Sequence, residues 1–126
     1  MGNGGSIITI SSVAGIKALP SQSHYTAAKH GVVGLTKSAA IELGEYNIRV
    51  NSIHPWGVAT APAEDPNVAA MLTAHPNYIM SFGAMLPALF PAQVDDISDA
   101  VVYLASDLSR AVTATQLTVD MGATKV

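Results

Sequence analysis

Tyr25 and Lys29 stand four residues apart in "SQSHYTAAKHGVVGLTKSAAIEL", residues 21–43, a stretch otherwise rich in alanine, glycine and aliphatic side chains. If that stretch is helical, positions i and i+4 lie one above the other on a single face. A free phenol, with a pKa of about 10, is a poor base at neutral pH. A neighbouring ammonium favours its ionised form, so the pair is suited to general acid–base chemistry. The spacing alone proves little, because a short pattern such as Y-x-x-x-K recurs by chance. Ser11 and Ser12 supply a second group. They close an apolar run, at the kind of strand end where open α/β sheets place their active crevice. A hydroxyl there and the phenol of Tyr25 can converge on one substrate oxygen. The other serine, expected to be Ser11, only terminates the strand.

The elements that must position these groups follow from pattern. "SIITIS", residues 6–11, follows a glycine turn and reads as a strand apolar on both faces, as in a parallel sheet. "SVAGIKALPSQS" is a loop, and residues 22–44 form a helix with Ser21 or Ser23 as N-cap and Gly44 at its end. "NIRVNSIHP", residues 47–55, is a second strand stopped by Pro55. Residues 56–92 are irregular, with Pro62, Pro66, Pro76, Pro87 and Pro91 punctuating short helical pieces, the profile of a lid or binding segment. Residues 93–107 form an amphipathic helix with Ile97, Val101 and Leu104 on one face, and Asp95, Asp96 and Asp99 in its polar first turn. "TQLTVD", residues 115–120, is the last strand. Strands joined through helices predict an α/β fold with a parallel sheet.

The totals exclude several functions. With 126 residues there is room for one domain and one core. Net charge is −3 and the six basic residues are scattered, so no basic stripe awaits nucleic acid. The absence of cysteine removes disulfides, thiol nucleophiles and most structural zinc sites. The four histidines show no metal-ligand spacing and read as surface or loop residues, so no metal is expected. No apolar run is long enough to span a bilayer, and a cytoplasmic location is the expectation. "MGNGGS" matches an N-myristoylation pattern at Gly2, but no polybasic segment follows, and it reads as a glycine-rich turn. Only 12% of residues are charged, few for a small domain, which points to surface meant to be covered.

Four segments, "GGSIITISSVAG", "YTAAKHGVVGLTKSAAIELGEYNIRVNSIHP", "VVYLASD" and "QLTVDMGA", resemble the short-chain dehydrogenase/reductase family in order and spacing. They cover nearly the whole chain apart from residues 56–92, and match only the C-terminal half of the family's pattern. The resemblance implies the C-terminal half of a Rossmann-like doubly wound parallel sheet. It would have three strands with flanking helices and a substrate lid at residues 56–92. Residues 1–126 would thus be a partial domain. The resemblance also implies roles. Ser12, thirteen residues before Tyr25, would hold the substrate oxygen. Tyr25 would pass the proton, while Lys29 would tune the phenol and bind the nicotinamide ribose. Pro55, Val58 and Thr60 match the family's P-G-x-V-x-T turn against the nicotinamide carboxamide, with Trp56 where glycine is usual. Trp56 would pack against nicotinamide or substrate, or serve as an ordinary core aromatic. Ala114 likewise stands where glycine is usual. Trp56, Met80, Phe82 and Met85 would form an apolar lid over a small apolar alcohol or ketone, with helix-core packing the alternative job for most of the lid's apolar residues. "HPWGV" with the long lid resembles the carveol-dehydrogenase-like branch.

The family's glycine-rich phosphate loop is not among these residues, nor is the residue that selects between NAD and NADP. The cofactor is therefore NAD or NADP, and the first strand is expected to lack a partner on one side. The missing half, or another copy of the chain, would supply that partner. Two readings stand open. The chain is the catalytic half of an oxidoreductase, inactive alone, or a non-catalytic fragment acting as an interaction module through its sheet edge and dimer helix. The extended epimerase branch needs a sizeable domain after Gly122, and enoyl reductases space tyrosine and lysine more widely, so both fit badly.

Overall fold

The computed structural model describes residues 4–60 and 66–125, so the Gly2 pattern and Pro62 lie outside the described residues. Three parallel strands, β1 (Gly5–Ile10), β2 (Ile48–Pro55) and β3 (Gln116–Val119), lie in the order β1-β2-β3. The long helix α1 (Ser23–Leu43) connects β1 to β2. A long excursion carrying α2 (Pro66–Ala74) and then α3 (Val94–Ala105) connects β2 to β3. The register is continuous from Gly5 opposite Ile48 to Ile10 opposite Ile53, and β3 pairs from Ser52 opposite Gln116 to Pro55 opposite Val119.

The two helices cover opposite faces of the sheet. Successive side chains of a strand point to opposite faces, and on β1 the Thr9 hydroxyl meets Thr36 of α1 at 2.7 Å while Ser6 donates to the Leu104 carbonyl of α3, also at 2.7 Å. Under α1 the core is Ala40, Ile48 and Val50, joined by Ile7, Ala39, Leu43 and Ala114. Val33, Thr36 and Ala40 recur at helical spacing and are the buried positions of α1. On the other face Leu104 and Ile53 are fully buried. Arg49 and Asn51 then lash the α3–β3 connection to β2. Arg49 donates to Ser109 Oγ at 2.9 Å and to the Ser106 carbonyl at 3.2 Å. The Asn51 amide donates to Val112 O and accepts from Thr115 N–H, each at 3.0 Å.

Several local expectations need correction. Neither Ser21 nor Ser23 caps α1. The N-cap is Gln22, without a side-chain capping bond, because Ser21 adopts a left-handed conformation (φ 60°) that turns the chain. Gly44 does follow the last residue of α1 but stays right-handed. The reversal falls on Asn47 (φ 57°), whose N–H returns to the Gly44 carbonyl at 3.0 Å. Asparagine tolerates that region better than most residues. Ala114 is also left-handed (φ 57°), its N–H bound to Val50 O at 2.8 Å. A glycine would hold that turn without the Cβ clash that alanine accepts. On α3, Gln93 and Asp96 form a reciprocal capping box, whereas Asp99 lies beyond the first turn.

The excursion between β2 and α3 holds the short helical pieces expected of it, each beginning at a proline. Besides α2 it contains 3-10 helical turns at Pro76–Phe82 and Pro87–Leu89. Its two ends are bridged: Ala92 N–H donates to Gly57 O, and Ala59 N–H to Ala92 O, both at 2.8 Å. Among the described residues no helix is long and apolar enough to cross a membrane.

Nothing among the described residues pairs with the outer edge of β1. The bonds from Gly5 N–H to Asn47 O and from Ser11 N–H to Ile53 O fix which amides face β2. In a parallel ladder that phase directs Ile7 and Thr9 inward, and Ser6, Ile8 and Ile10 toward the free edge. Hydrogen exchange on this chain should therefore show Ile7 and Thr9 protected by at least about 100-fold more than Ser6, Ile8 and Ile10. Uniform protection along β1 would mean that another strand covers the edge.

Candidate active site

The C-terminal ends of β1 and β2 come level because Ile10 lies opposite Ile53. After β1 the chain folds into a short 3-10 turn, Val13–Gly15, capped by Ser12. The Ser12 hydroxyl oxygen accepts from Ala14 N–H at 3.1 Å, which leaves its own hydrogen available to a further acceptor. Ser11, by contrast, turns inward and donates to the Lys29 carbonyl at 3.0 Å, pinning the loop to α1. Both serines border the cleft described next, but the Ser11 hydroxyl is spent on α1 while that of Ser12 keeps its hydrogen.

An open cleft of about 790 Å³ lies over these strand ends. Ser12, Tyr25, Lys29, Pro55, Trp56, Val58 and Thr60 all line it. The Lys29 ammonium sits over the Tyr25 ring, 5.6 Å from its centroid, and donates to the Ile10 carbonyl at 3.2 Å. That carbonyl belongs to the free edge of β1. Lys29 is in this way fixed to the strand whose end carries Ser12, and keeps two more N–H donors. Tyr25 is partly exposed at the cleft.

Trp56 is a core aromatic that also borders the cleft. It packs on the buried Val13, Ala14 and Leu19, and its ring lies 5.6 Å from that of Phe82 while also lining the cleft. Phe82 therefore reaches the site through Trp56. Met80 and Met85 do not line this cleft. Met80 is 80% exposed. Met85 N–H donates to Met121 O at 2.7 Å, and its side chain packs over Gly122, where any Cβ would collide with it. Lys17 ties the lid to the C-terminal turn, donating to Ser81 O at 2.9 Å and to Ala123 O at 2.7 Å. Burial pushes its ammonium below the ordinary lysine value, opposed by the charge of Asp120.

Sequence reasoning passed over His54, which is no surface residue: it is fully buried beneath the site. Its Nδ1 lies 2.7 Å from the Ser12 carbonyl and its Nε2 2.8 Å from Ser52 Oγ. Strand alternation could have found it, since it shares the inward face with Val50 and Ser52. Gly15 closes the same knot. A Cβ there would run into Ser11 Oγ, the Lys29 carbonyl and the His54 ring. Among the described residues no group of histidine, aspartate and glutamate side chains could hold a metal.

With this geometry in view, the comparisons become specific. A family model described as enoyl-(acyl carrier protein) reductase matches residues 1–124. An uncharacterised NAD-dependent oxidoreductase of Mycobacterium tuberculosis is 50% identical over 98% of this chain and 46% of its own length. The crystal structure of a short chain dehydrogenase from Mycobacterium paratuberculosis bound to NAD superposes with a TM-score of 0.87 at 44% identity. It covers 99% of this chain and 47% of that one. Carveol dehydrogenase from Mycobacterium avium, in complex with NAD, gives 0.82 at 41% identity, over 97% of this chain and 47% of that one. The chain spans about half the length of the relatives it matches.

His54 makes a prediction about pH. Burial pushes its imidazole below the ordinary histidine value, while the bond to Ser12 and the charge of Asp120 pull it back up and His30 pushes it down. A depressed value means that the folded chain binds fewer protons than the unfolded one, so stability is full above about pH 6.5 and declines as pH falls through the folded value. Thermal melts from about pH 8 to about pH 5 should fall on the acid side, and the His54→Asn variant should lose that part of the slope. An unchanged slope in the variant would assign the acid sensitivity to other groups.

Proposed function

The chain belongs to the short-chain dehydrogenase/reductase family, and on that premise we propose that it is the catalytic half of an NAD-dependent oxidoreductase acting on a small apolar alcohol or ketone. The observation that carries the reading is the gathering of Ser12, Tyr25 and Lys29 around one cleft at the ends of two parallel strands. NAD is preferred to NADP because the M. tuberculosis relative is named NAD-dependent and both structural neighbours hold NAD. The kinship with carveol dehydrogenase, together with the apolar wall of Leu19, Trp56 and Val68, supports an alcohol with a hydrocarbon body.

The residues present fit the nicotinamide end of such a cofactor. Lys29 has donors to spare for ribose hydroxyls, and the turn after Pro55 brings Val58 and Thr60 into the same cleft. When bound, the nicotinamide gives or takes the hydride. The protein's part is to hold the substrate oxygen and move its proton. Ser12 Oγ, already accepting from Ala14, donates its hydrogen to that oxygen and fixes the substrate. The Tyr25 phenol passes a proton to the oxygen in reduction and takes it in oxidation. The Lys29 ammonium over its ring stabilises the negative charge that develops on the phenol. The matched family model is described as an enoyl reductase. The four-residue step from Tyr25 to Lys29 favours a carbonyl or hydroxyl substrate instead.

The unpartnered edge of β1, with Leu35 and Ile41 of α1 exposed at 65% and 81%, supports a neighbour beside this half. That neighbour is the nucleotide-binding half, a second copy, or both.

The roles separate by substitution in the active protein that carries these residues. Tyr25→Phe should lower kcat by roughly 100-fold to 10,000-fold while leaving the Kd for NAD within about twofold. Retained turnover would remove Tyr25 from the proton transfer. Lys29→Ala should weaken NAD binding as well as turnover, and titration showing unaltered NAD affinity would dispose of the ribose contact.

A further inference from the structure

His54 lies outside the cleft and has both ring nitrogens engaged, yet one of its two hydrogen bonds runs straight to the residue assigned to the substrate oxygen. A carbonyl can only accept, so the 2.7 Å contact to Ser12 O requires a proton on Nδ1. In the neutral ring Nε2 is then an acceptor, and the one hydrogen of Ser52 Oγ goes to it at 2.8 Å in preference to the Thr115 carbonyl at 3.4 Å. Strand geometry places Ser52 and His54 on the same face, two residues apart. The result is a directed chain: Ser52 hydroxyl to His54, and His54 to the main chain of Ser12.

We propose that His54 is a positioning residue for Ser12, fixing where that hydroxyl sits relative to the turn that begins at Pro55. The inference rests on the reading of Ser12 as the group that holds the substrate oxygen. His54 is the last residue of β2 before Pro55, whose turn faces the cleft with Val58 and Thr60. Its side chain reaches across to the loop after β1. The Ser12 carbonyl is thereby held from two directions, by His54 Nδ1–H and by Gly15 N–H at 2.9 Å. With the carbonyl fixed, Ser12 keeps the extended conformation (φ −167°, ψ 169°) that aims its Oγ at Ala14 N–H. One imidazole so couples the two loops that must hold substrate and nicotinamide in mutual reach. It does so without touching either, since it is fully buried. Burial with both nitrogens spent also rules it out as the acid or base.

The test uses three variants of the active protein. Asparagine carries an N–H donor near the place of Nδ1, glutamine carries one near the place of Nε2, and leucine carries none. His54→Leu should lower kcat by about 10-fold to 100-fold, as a displaced reacting group does, with the Kd for NAD within about twofold. His54→Asn should recover most of that loss and His54→Gln should not. Melting curves identify any variant that fails to fold. If His54→Leu fails, the comparison of asparagine with glutamine decides alone. Nitrogen NMR of the imidazole in this 126-residue chain should report the Nδ1–H tautomer, a readout independent of turnover. A folded His54→Leu protein with undiminished kcat, equal rates for the asparagine and glutamine variants, or an Nε2–H tautomer overturns the proposal. Wild-type protein without any dehydrogenase turnover overturns instead the functional reading on which it rests.

Discussion

Ile10 lies opposite Ile53 in a parallel ladder, and the site depends on that pairing. Parallel strands end on the same side of a sheet, so the loop after β1 and the turn after β2 emerge side by side. A shift of one residue would turn every side chain of β1 to the opposite face. Thr9 would then leave Thr36, Ser6 would leave the Leu104 carbonyl, and Ser12 would lose its partner on β2. The register is therefore specified from both faces at once. Apolar contacts under α1 fix one, and the hydrogen bonds of Ser6 and Arg49 to the α3 side fix the other.

Over that frame α1 supplies Tyr25 and Lys29. It runs back across β2, and its first turns pass the mouth of the cleft, where the four-residue step stacks Lys29 on Tyr25. Two bonds lock the helix there rather than letting it slide: Ser11 Oγ to the Lys29 carbonyl, and Lys29 Nζ to the Ile10 carbonyl. Both ends of one lysine are tied to one strand terminus. The side chain that carries the charge is consequently less free than an ordinary surface lysine, although no carboxylate among the described residues holds it.

The elements were legible in the sequence because their periods differ. β-branched runs after glycine marked β1 and β2, and a long small-residue stretch between serine and glycine marked α1. The pairing of Tyr25 with Lys29 was legible for the same reason: spacing on a helix converts directly into shared faces. What escaped was set by non-local packing. His54 looked like any polar residue ahead of a proline, and only the loop folded over it gives its ring a carbonyl partner. Met80 and Met85 looked like lid residues because they are apolar, yet Met85 is consumed by packing on Gly122. Ser21 looked like a cap, but its left-handed backbone cannot present the hydroxyl to the helix end. Position relative to a turn, rather than residue type, decided each of these.

Half of a doubly wound sheet can still hold a formed loop after β1. The contacts that shape it, from Ser11, Gly15, Lys29 and His54, all lie within this chain. None of them crosses the free edge of β1. The Lys29 bond to the outward-facing Ile10 carbonyl even satisfies one group of that edge. Covering β1 with another strand would change the exposure of Ile8 and Ile10, but the bonds that hold Ser12 against β2 would remain. Ser12, Tyr25, Lys29 and the bonds that hold them are thus built within this part of the fold.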